Sequence, residues 1–456
     1  MIENIVNYLS NIIYTMKMKK KFILITAIIS LNLFIVSCSN TITNDDVKTE
    51  SANEFVKRTK WFREAKFGVI IHWGPISILG KEISWCRDGE RPGISPSDTF
   101  FGKPDVPVDV YDNLYKKFNP VDFDANEWVN IFQEVGMNYM VFVTKHADGF
   151  VNFDSKYTDY KITSKDCPYG KDITKMISDA CIENNMKYGF YYSPADWYNP
   201  DCHHTNHSRY LKYMYDQIDE LCTNYGKLDL LWFDTGFPKE DWDSETLVAR
   251  IRLKQKDVMI NNRLDLRGDF TTPEGNIGTM DNSFPQEVSY GFGTSWSWKV
   301  NDKIMPWDQV VRLMIKAAGN GANFLLGIGP MPNGKIEQRQ IDTLKKVGKW
   351  IKENAESYYG TYGGPFIGGN WGVSTFKDST IYIFVENWTD QYSIKLPGIN
   401  SKILKANTLD GDTVNFTQTE SKISLNFDSK KRRFPYTIIK LSMNMNISLF
   451  KPIKVE

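Results

Sequence analysis

The sequence predicts an α/β chain: a (β/α)8-like barrel followed by a C-terminal antiparallel β-sandwich. Three observations predict it. Between about residues 61 and 354, short apolar runs alternate with segments whose apolar residues recur at helical spacing. Successive apolar runs end in polar groups, which a ring of strand ends would gather at one point and an open sheet would not. After about Tyr362 the pattern changes to short alternating strands with turn residues between them.

At the N-terminus, Lys17, Lys19, Lys20 and Lys21 precede the apolar run Phe22 to Val36, which ends in Ile35-Val-Ser-Cys38. A basic stretch, a short apolar stretch and a small residue before the break describe a secretory signal over residues 1–38. The run falls short of the roughly 20 residues that a membrane span wants. The Cys that follows directly resembles a bacterial lipoprotein signal, which implies a lipid anchor on Cys38. An exported chain, anchored on the periplasmic or cell-surface face, is expected. Met16 or Met18 would serve as the start of such a signal, and residues 39–52 read as a polar, flexible tether.

The barrel is expected over residues 53–362. Trp61-Phe-Arg-Glu-Ala-Lys-Phe-Gly-Val-Ile-Ile-His-Trp-Gly-Pro75 gives a first strand from Phe67 to Trp73, with His72 near its end. Asp124 can cap a helix carrying Trp128, Ile131, Phe132 and Val135 on one face, closed by Gly136. A strand from Tyr139 to Thr144 follows and ends in Lys145-His146. Asp172 caps another helix, with Ile173, Ile177, Ala180 and Cys181 on one face, and a strand from Lys187 to Tyr192 comes next. The helix from about Ser208 to Tyr225 leads into Lys227-Leu-Asp-Leu-Leu-Trp-Phe-Asp-Thr-Gly-Phe237, an apolar run broken by the carboxylate of Asp234. Further strands are expected at 257–262 and 323–328, and helices at 307–318 and 338–354. Six strands are clear, where a complete barrel has eight. The β-sandwich, over residues 363–456, is expected to support the barrel or to serve as a binding accessory.

Lys+Arg and Asp+Glu stand at 55 each, so no global field recruits nucleic acid or an anionic membrane. A small or neutral partner fits better. Setting Cys38 aside leaves Cys86, Cys167, Cys181, Cys202 and Cys222, an odd number that admits no complete disulfide framework. Cys202-His-His-Thr-Asn-His207 has no standard zinc spacing, and reads as a polar loop or a helix entrance. Neither a metal nor a cofactor is expected.

The strand ends supply His72, His146, Asp196 with Trp197, Asp234 and Arg263, and the loop beyond supplies Glu274. Imidazoles and a guanidinium hydrogen-bond hydroxyls, and Trp faces cover the apolar side of a sugar ring. Two carboxylates flanking a glycosidic bond are what its hydrolysis needs. Asp-Thr-Gly at 234–236 also occurs in aspartic proteases, but those need a second such element in an all-β fold, and neither is present. Asp234 could alternatively do no more than organise its turn.

These residues lie in motifs that resemble the α-L-fucosidases of glycoside hydrolase family 29. The resemblance is carried by the stretch Trp61 to Pro75, Thr144-Lys-His-Ala-Asp-Gly-Phe150, Tyr191-Tyr-Ser193 with Asp196-Trp197, Leu231-Trp-Phe-Asp-Thr-Gly236, Asn262-Arg263, Asp269-Phe-Thr-Thr-Pro-Glu274, and Gly321-Ala-Asn-Phe-Leu-Leu-Gly-Ile-Gly-Pro330. In family order, these span about residues 55 to 365. The resemblance implies a retaining exo-glycosidase that removes terminal α-L-fucose from oligosaccharides. It places Asp234 at the nucleophile and Glu274 at the acid/base, with Glu287 in Pro285-Gln-Glu-Val288 as the rival acid. His72, Trp85, His146, Tyr191, Trp232 and Arg263 match sugar-binding positions. Two positions depart: the family often has a His pair where this chain has His146-Ala147, and Glu-Trp where it has Ser84-Trp85. Those departures leave open an α-L-galactosidase on the same scaffold. A silent glycan-binding lipoprotein is the third reading, and the retained Asp234 with its two candidate acids argues against it.

Overall fold

The computed structural model describes residues 50–92, 104–234, 236–388 and 393–455. The signal, Cys38 and most of the tether lie outside the described residues. Seven parallel strands make one sheet: β1 (Phe67–Ile71), β2 (Tyr139–Lys145), β3 (Lys187–Tyr192), β4 (Leu230–Phe233), β5 (Met259–Ile260), β6 (Gln286–Gly291) and β7 (Ala322–Ile328), in the order β5-β4-β3-β2-β1-β7-β6. The segment 270–274 bridges its two edges. Phe270 pairs with Asn261 just past β5, Thr271 with Gln286, and Glu274 with Ser289, all in parallel sense. This irregular stave stands where an eighth strand would, so the sheet curls into a barrel.

Helix α1 (Ala52–Ala65) sends Phe62 and Ala65 into the barrel interior, and the outside of the sheet is covered by α2 (Ala125–Val135), α3 (Ile173–Glu183), α4 (His207–Asn224), α5 (Ser244–Lys254), α6 (Trp307–Gly319) and α7 (Gln338–Asn354). The Asp124 carboxylate accepts from the Asn126 and Glu127 amides, and Gly136 closes α2 with φ 95°. Asp172 caps α3 through the Lys175 amide. Helix α1 begins where the sequence expected tether, because Ser51 and Glu54 form a reciprocal capping box.

Strand alternation sorts side chains into two layers. Phe67, Val69 and Ile71, Met140 and Phe142, Phe190 and Tyr192, Leu231 and Phe233, and Phe324, Leu326 and Ile328 pack outward against the helices. Ile70, Tyr139, Val141, Val143, Tyr191, Leu230, Trp232, Met259, Phe270 and Leu325 fill the interior, with Phe62 of α1 among them. A Cβ at Gly68 would lie 2.4 Å from the Tyr139 ring, and one at Gly327 would lie 2.4 Å from the Trp296 ring. Glycine at those two positions makes room for aromatic filling of the barrel.

All later strands are antiparallel. A five-stranded sheet runs β12 (Ile403–Thr408), β15 (Thr437–Met443), β10 (Thr380–Val385), β9 (Gly372–Lys377), β8 (Tyr362–Gly363), and a three-stranded sheet runs β11 (Ser393–Pro397), β14 (Lys422–Asn426), β13 (Asn415–Gln418). Ile381, Ile383, Ile439 and Leu441 of the first sheet meet Ile394, Leu396, Ile423 and Leu425 of the second. The opposite face of the larger sheet, with Val373, Tyr382, Phe384 and Ile438, joins the apolar layer around the barrel.

Candidate active site

The site is built where inward-facing positions reach the C-terminal ends of the strands. On β1 the inward series Gly68, Ile70 continues to His72, and on β4 the series Leu230, Trp232 continues to Asp234. Tyr191 of β3 pairs in register with Trp232, and their rings stack at 5.5 Å. His146, one residue past β2, stacks on the other face of this group, 5.4 Å from Tyr191 and at 5° to it. The His72 ring stands 5.8 Å from His146, 5.7 Å from Tyr191 and 5.0 Å from Trp296.

Asp234 is a partly open carboxylate, with its side chain 35% exposed. Its Oδ2 accepts from the Tyr191 hydroxyl at 2.7 Å, and its Oδ1 accepts from Arg263 Nη1 at 3.2 Å. The same guanidinium donates through Nη2 to Glu274 Oε2 at 3.4 Å. Arg263 is fixed by donating to the Thr272 hydroxyl and carbonyl at 3.1 and 2.9 Å, and it lies 5.3 Å above the Trp232 ring. One cation therefore spans both carboxylates, and the site brings Asp234, Glu274, Arg263, Tyr191, Trp232, His72 and His146 together.

The carboxylates differ in environment. Burial and the negative charge of Asp234 push Glu274 above the usual glutamate range, partly offset by Arg263 and by a hydrogen bond from Trp296. Burial pushes His146 down to about 3 and His72 well below its ordinary value, so both imidazoles are neutral at physiological pH. His72 Nδ1 is buried without a hydrogen-bonding partner among the described residues.

Glu287 occupies a different place. It is fully buried on β6, facing the barrel interior. Tyr139 donates to its Oε2, and Trp232 Nε1 donates to its Oε1 at 2.9 Å. Both oxygens are thus engaged beneath Trp232, which leaves Glu274 as the glutamate beside Asp234. Trp85 packs edge-on against Trp197 at 5.6 Å, with the Arg91 guanidinium over both rings.

Asp196, another strand-end carboxylate, is buried structural support. Its Oδ2 lies 3.4 Å from Lys145 Nζ, and its Oδ1 accepts from the Tyr198 and Asn199 amides. Lys145 also donates to the Ser193 and Ala195 carbonyls, so this pair holds the loop that carries Trp197. The histidine-rich stretch 202–207 leads into α4. His207 Nδ1 accepts from the His203 amide, its Nε2 meets the Asp241 carbonyl at 2.7 Å, and its ring stacks on His203. Among the described residues no group of three or more His, Cys, Asp or Glu side chains is arranged to hold a metal. All five described cysteines are buried and unpaired, and burial pushes Cys86, Cys181, Cys202 and Cys222 up to about 12.

Two residues were not anticipated from the sequence. Trp296 faces both His72 and Glu274. Buried Glu82 anchors it: Oε2 accepts from the Ser295 hydroxyl and the Trp296 amide, both at 2.7 Å, and Oε1 from the Ile83 and Ser297 amides at 3.1 and 3.3 Å. The aromatic-rich Ser295-Trp-Ser-Trp298 was the available signal for the first; a lone Glu in a loop gave none for the second.

The model of the family described as Alpha-L-fucosidase matches residues 35–356. The chain is similar to the tissue alpha-L-fucosidase of Mus musculus, 27% identical over 347 residues that cover 70% of this chain and 74% of that protein. It is also similar to the solved alpha-L-fucosidase isoenzyme 1 of Paenibacillus thiaminolyticus, with 31% identity, a TM-score of 0.76, and coverage of 86% of this chain and 99% of that one. A family 29 alpha-L-fucosidase from Bacteroides thetaiotaomicron shares the fold at 23% identity, with a TM-score of 0.76 over 87% of this chain and 96% of its own. With more than half its length matched by the family model, and with the barrel, the paired carboxylates and their shared arginine in place, the chain belongs to the α-L-fucosidase family.

Proposed function

We propose that the protein removes terminal α-L-fucose from glycans by double displacement, with Asp234 as nucleophile and Glu274 as acid/base. The observation that carries this reading is the single Arg263 guanidinium hydrogen-bonded to both carboxylates. The bridge sets both carboxyl groups against one guanidinium, which is compatible with the close pair that a retaining enzyme needs. In the first step an Asp234 oxygen bonds to the anomeric carbon as the glycosidic C–O bond breaks. The Glu274 proton goes to the departing oxygen. In the second step Glu274 takes a proton from water, the water oxygen bonds to the anomeric carbon, and Asp234 is released. His72, His146, Tyr191, Trp232 and Trp85 hold the sugar in this reading, as neutral donors, acceptors and apolar faces.

The test uses matched aryl α-L-fucoside and α-L-galactoside, with Asp234→Ala and Glu274→Ala variants. Preference for the fucoside and loss of turnover in Asp234→Ala are expected. Azide added to Asp234→Ala should yield the β-L-fucosyl azide, and azide added to Glu274→Ala the α-anomer, because one and two inversions are then completed respectively. The opposite pairing of anomers would reverse the two roles.

From the sequence alone we infer that the mature chain begins at a lipidated Cys38 and works outside the cytoplasm. In a bacterial host, Cys38→Ser should move the enzyme from the detergent phase to the aqueous phase. Unchanged partitioning would remove the anchor.

A further inference from the structure

We propose that Ser84 is a positioning residue that holds His146 as the neutral Nε2–H tautomer, so that this imidazole offers a sugar hydroxyl a donor and not an acceptor. The inference rests on the reading that His146 faces the sugar, and it assigns work to a position where the chain departs from the family pattern.

Ser84 is fully buried and sits in the left-handed backbone region, at φ 60°. Its surroundings form a closed circuit. The Ser84 amide donates to the Tyr111 hydroxyl at 2.8 Å, and that hydroxyl donates its own proton to Asp148 Oδ2 at 2.6 Å. The Asp148 amide donates back to Ser84 Oγ at 2.8 Å. Ser84 Oγ then lies 2.6 Å from His146 Nδ1.

Counting protons around that oxygen fixes the tautomer. A serine hydroxyl carries one proton and two acceptor lone pairs. One lone pair receives the Asp148 amide. If His146 Nδ1 were protonated, two N–H groups would point at Oγ, and the hydroxyl proton would be buried without an acceptor, a state that native interiors avoid. With Nδ1 as acceptor, every group in the circuit is satisfied. Burial keeps the ring neutral, so its single proton resides on Nε2. The ring is further fixed by its parallel stacking on Tyr191. A partner bonded to one imidazole nitrogen thereby sets what the other offers.

The test is two-bond ¹⁵N–¹H correlation on full-length protein labelled at histidine, without substrate, paired with steady-state kinetics on an aryl α-L-fucoside. The chain holds five histidines, and His146→Gln identifies the signal. The wild type should show the Nε2–H pattern. Ser84→Ala should lose it to a mixed or Nδ1–H pattern and raise KM roughly tenfold, with little change in kcat. Ser84→Gly should do the same in a residue that adopts positive φ freely, which separates the lost hydroxyl from backbone strain. Tyr111→Phe breaks the other arm of the circuit and should keep the Nε2–H pattern. An Nδ1–H pattern in the wild type, an unchanged pattern in both Ser84 variants, or an equal change in Tyr111→Phe would overturn the proposal. Because the tautomer is read without turnover, its failure is distinct from a failure of the fucosidase reading.

Discussion

Two glutamates show how environment divides residues of one type. Burial and the Asp234 charge raise the affinity of Glu274 for a proton, the direction that the proposed acid/base role requires, while Arg263 and Trp296 hold the side chain in place. The alkaline limb of kcat/KM should therefore fall above the ordinary carboxylate range. Glu274→Gln should abolish that limb, measured on an aryl fucoside whose leaving group needs no proton. Glu287, pushed up to about 7 by burial against the donated bonds of Tyr139 and Trp232, affects stability. An unfolded Glu releases its proton near pH 4.3 and the folded one near 7. As pH rises through that window, the unfolded state gains and stability falls by on the order of 3 kcal/mol. Glu287→Gln should flatten this loss, so its chemical-denaturation free energy should improve relative to wild type between pH 5 and 8. Equal pH dependence in both proteins would refute the assignment. Asp234 was legible in the sequence because a carboxylate breaking an apolar run is an anomaly. The fate of Glu287 was not, because Gln286-Glu-Val-Ser-Tyr-Gly291 lacks the apolar continuity that marks a buried parallel strand.

At the scale of elements, caps and strand ends were the readable features. Asp124, Gly136 and Asp172 stand where the sequence put them, and β3 and α7 match their expected spans. Strand β5 shrank to two residues, because the chain turns into a 3₁₀ helix at Asn262–Leu264 that delivers Arg263 to Asp234. Helix α1 went unread because its apolar residues are sparse, yet its Phe62 plugs the barrel and its Arg58 binds Asp269 at 2.7 Å. Tertiary contacts, rather than local periodicity, decide both cases. Close backbone approach is equally invisible in sequence. On β7, Gly327 is the floor beneath Trp296, so Gly327→Ala should displace that ring from His72 and Glu274. We expect kcat/KM on an aryl fucoside to drop by roughly 10- to 100-fold, while the circular dichroism spectrum stays native; the cost of misplacing a catalytic contact is of this order. Unchanged activity would show that the Trp296 contact is dispensable.

For the whole molecule, the change of pattern near residue 362 was visible, but the welding of the two parts was not. The five-stranded sheet is apolar on both faces: Ile381 and Ile383 face the smaller sheet, and Tyr382 and Phe384 face the barrel's helices. Arg312 of α6 pairs with Glu386, and a Cβ at Gly319 would lie 2.8 Å from Val373. A chain ending at residue 361 would bare the helical surface that this sheet covers, and exposed apolar patches of this kind drive association. It should aggregate on size-exclusion chromatography; a monomeric, active barrel would show that the β-sheets are an independent accessory.

The stave at 270–274 joins the edges of the ring through isolated bridges, and it carries Glu274 at its end. Of the two carboxylates, Glu274 is therefore mounted on the seam of the barrel, while Asp234 follows directly on the regular strand β4. Opening of the seam would part Glu274 from Asp234 even with β4 still paired to β3, so the spacing of the two carboxylates depends on the closure of the ring.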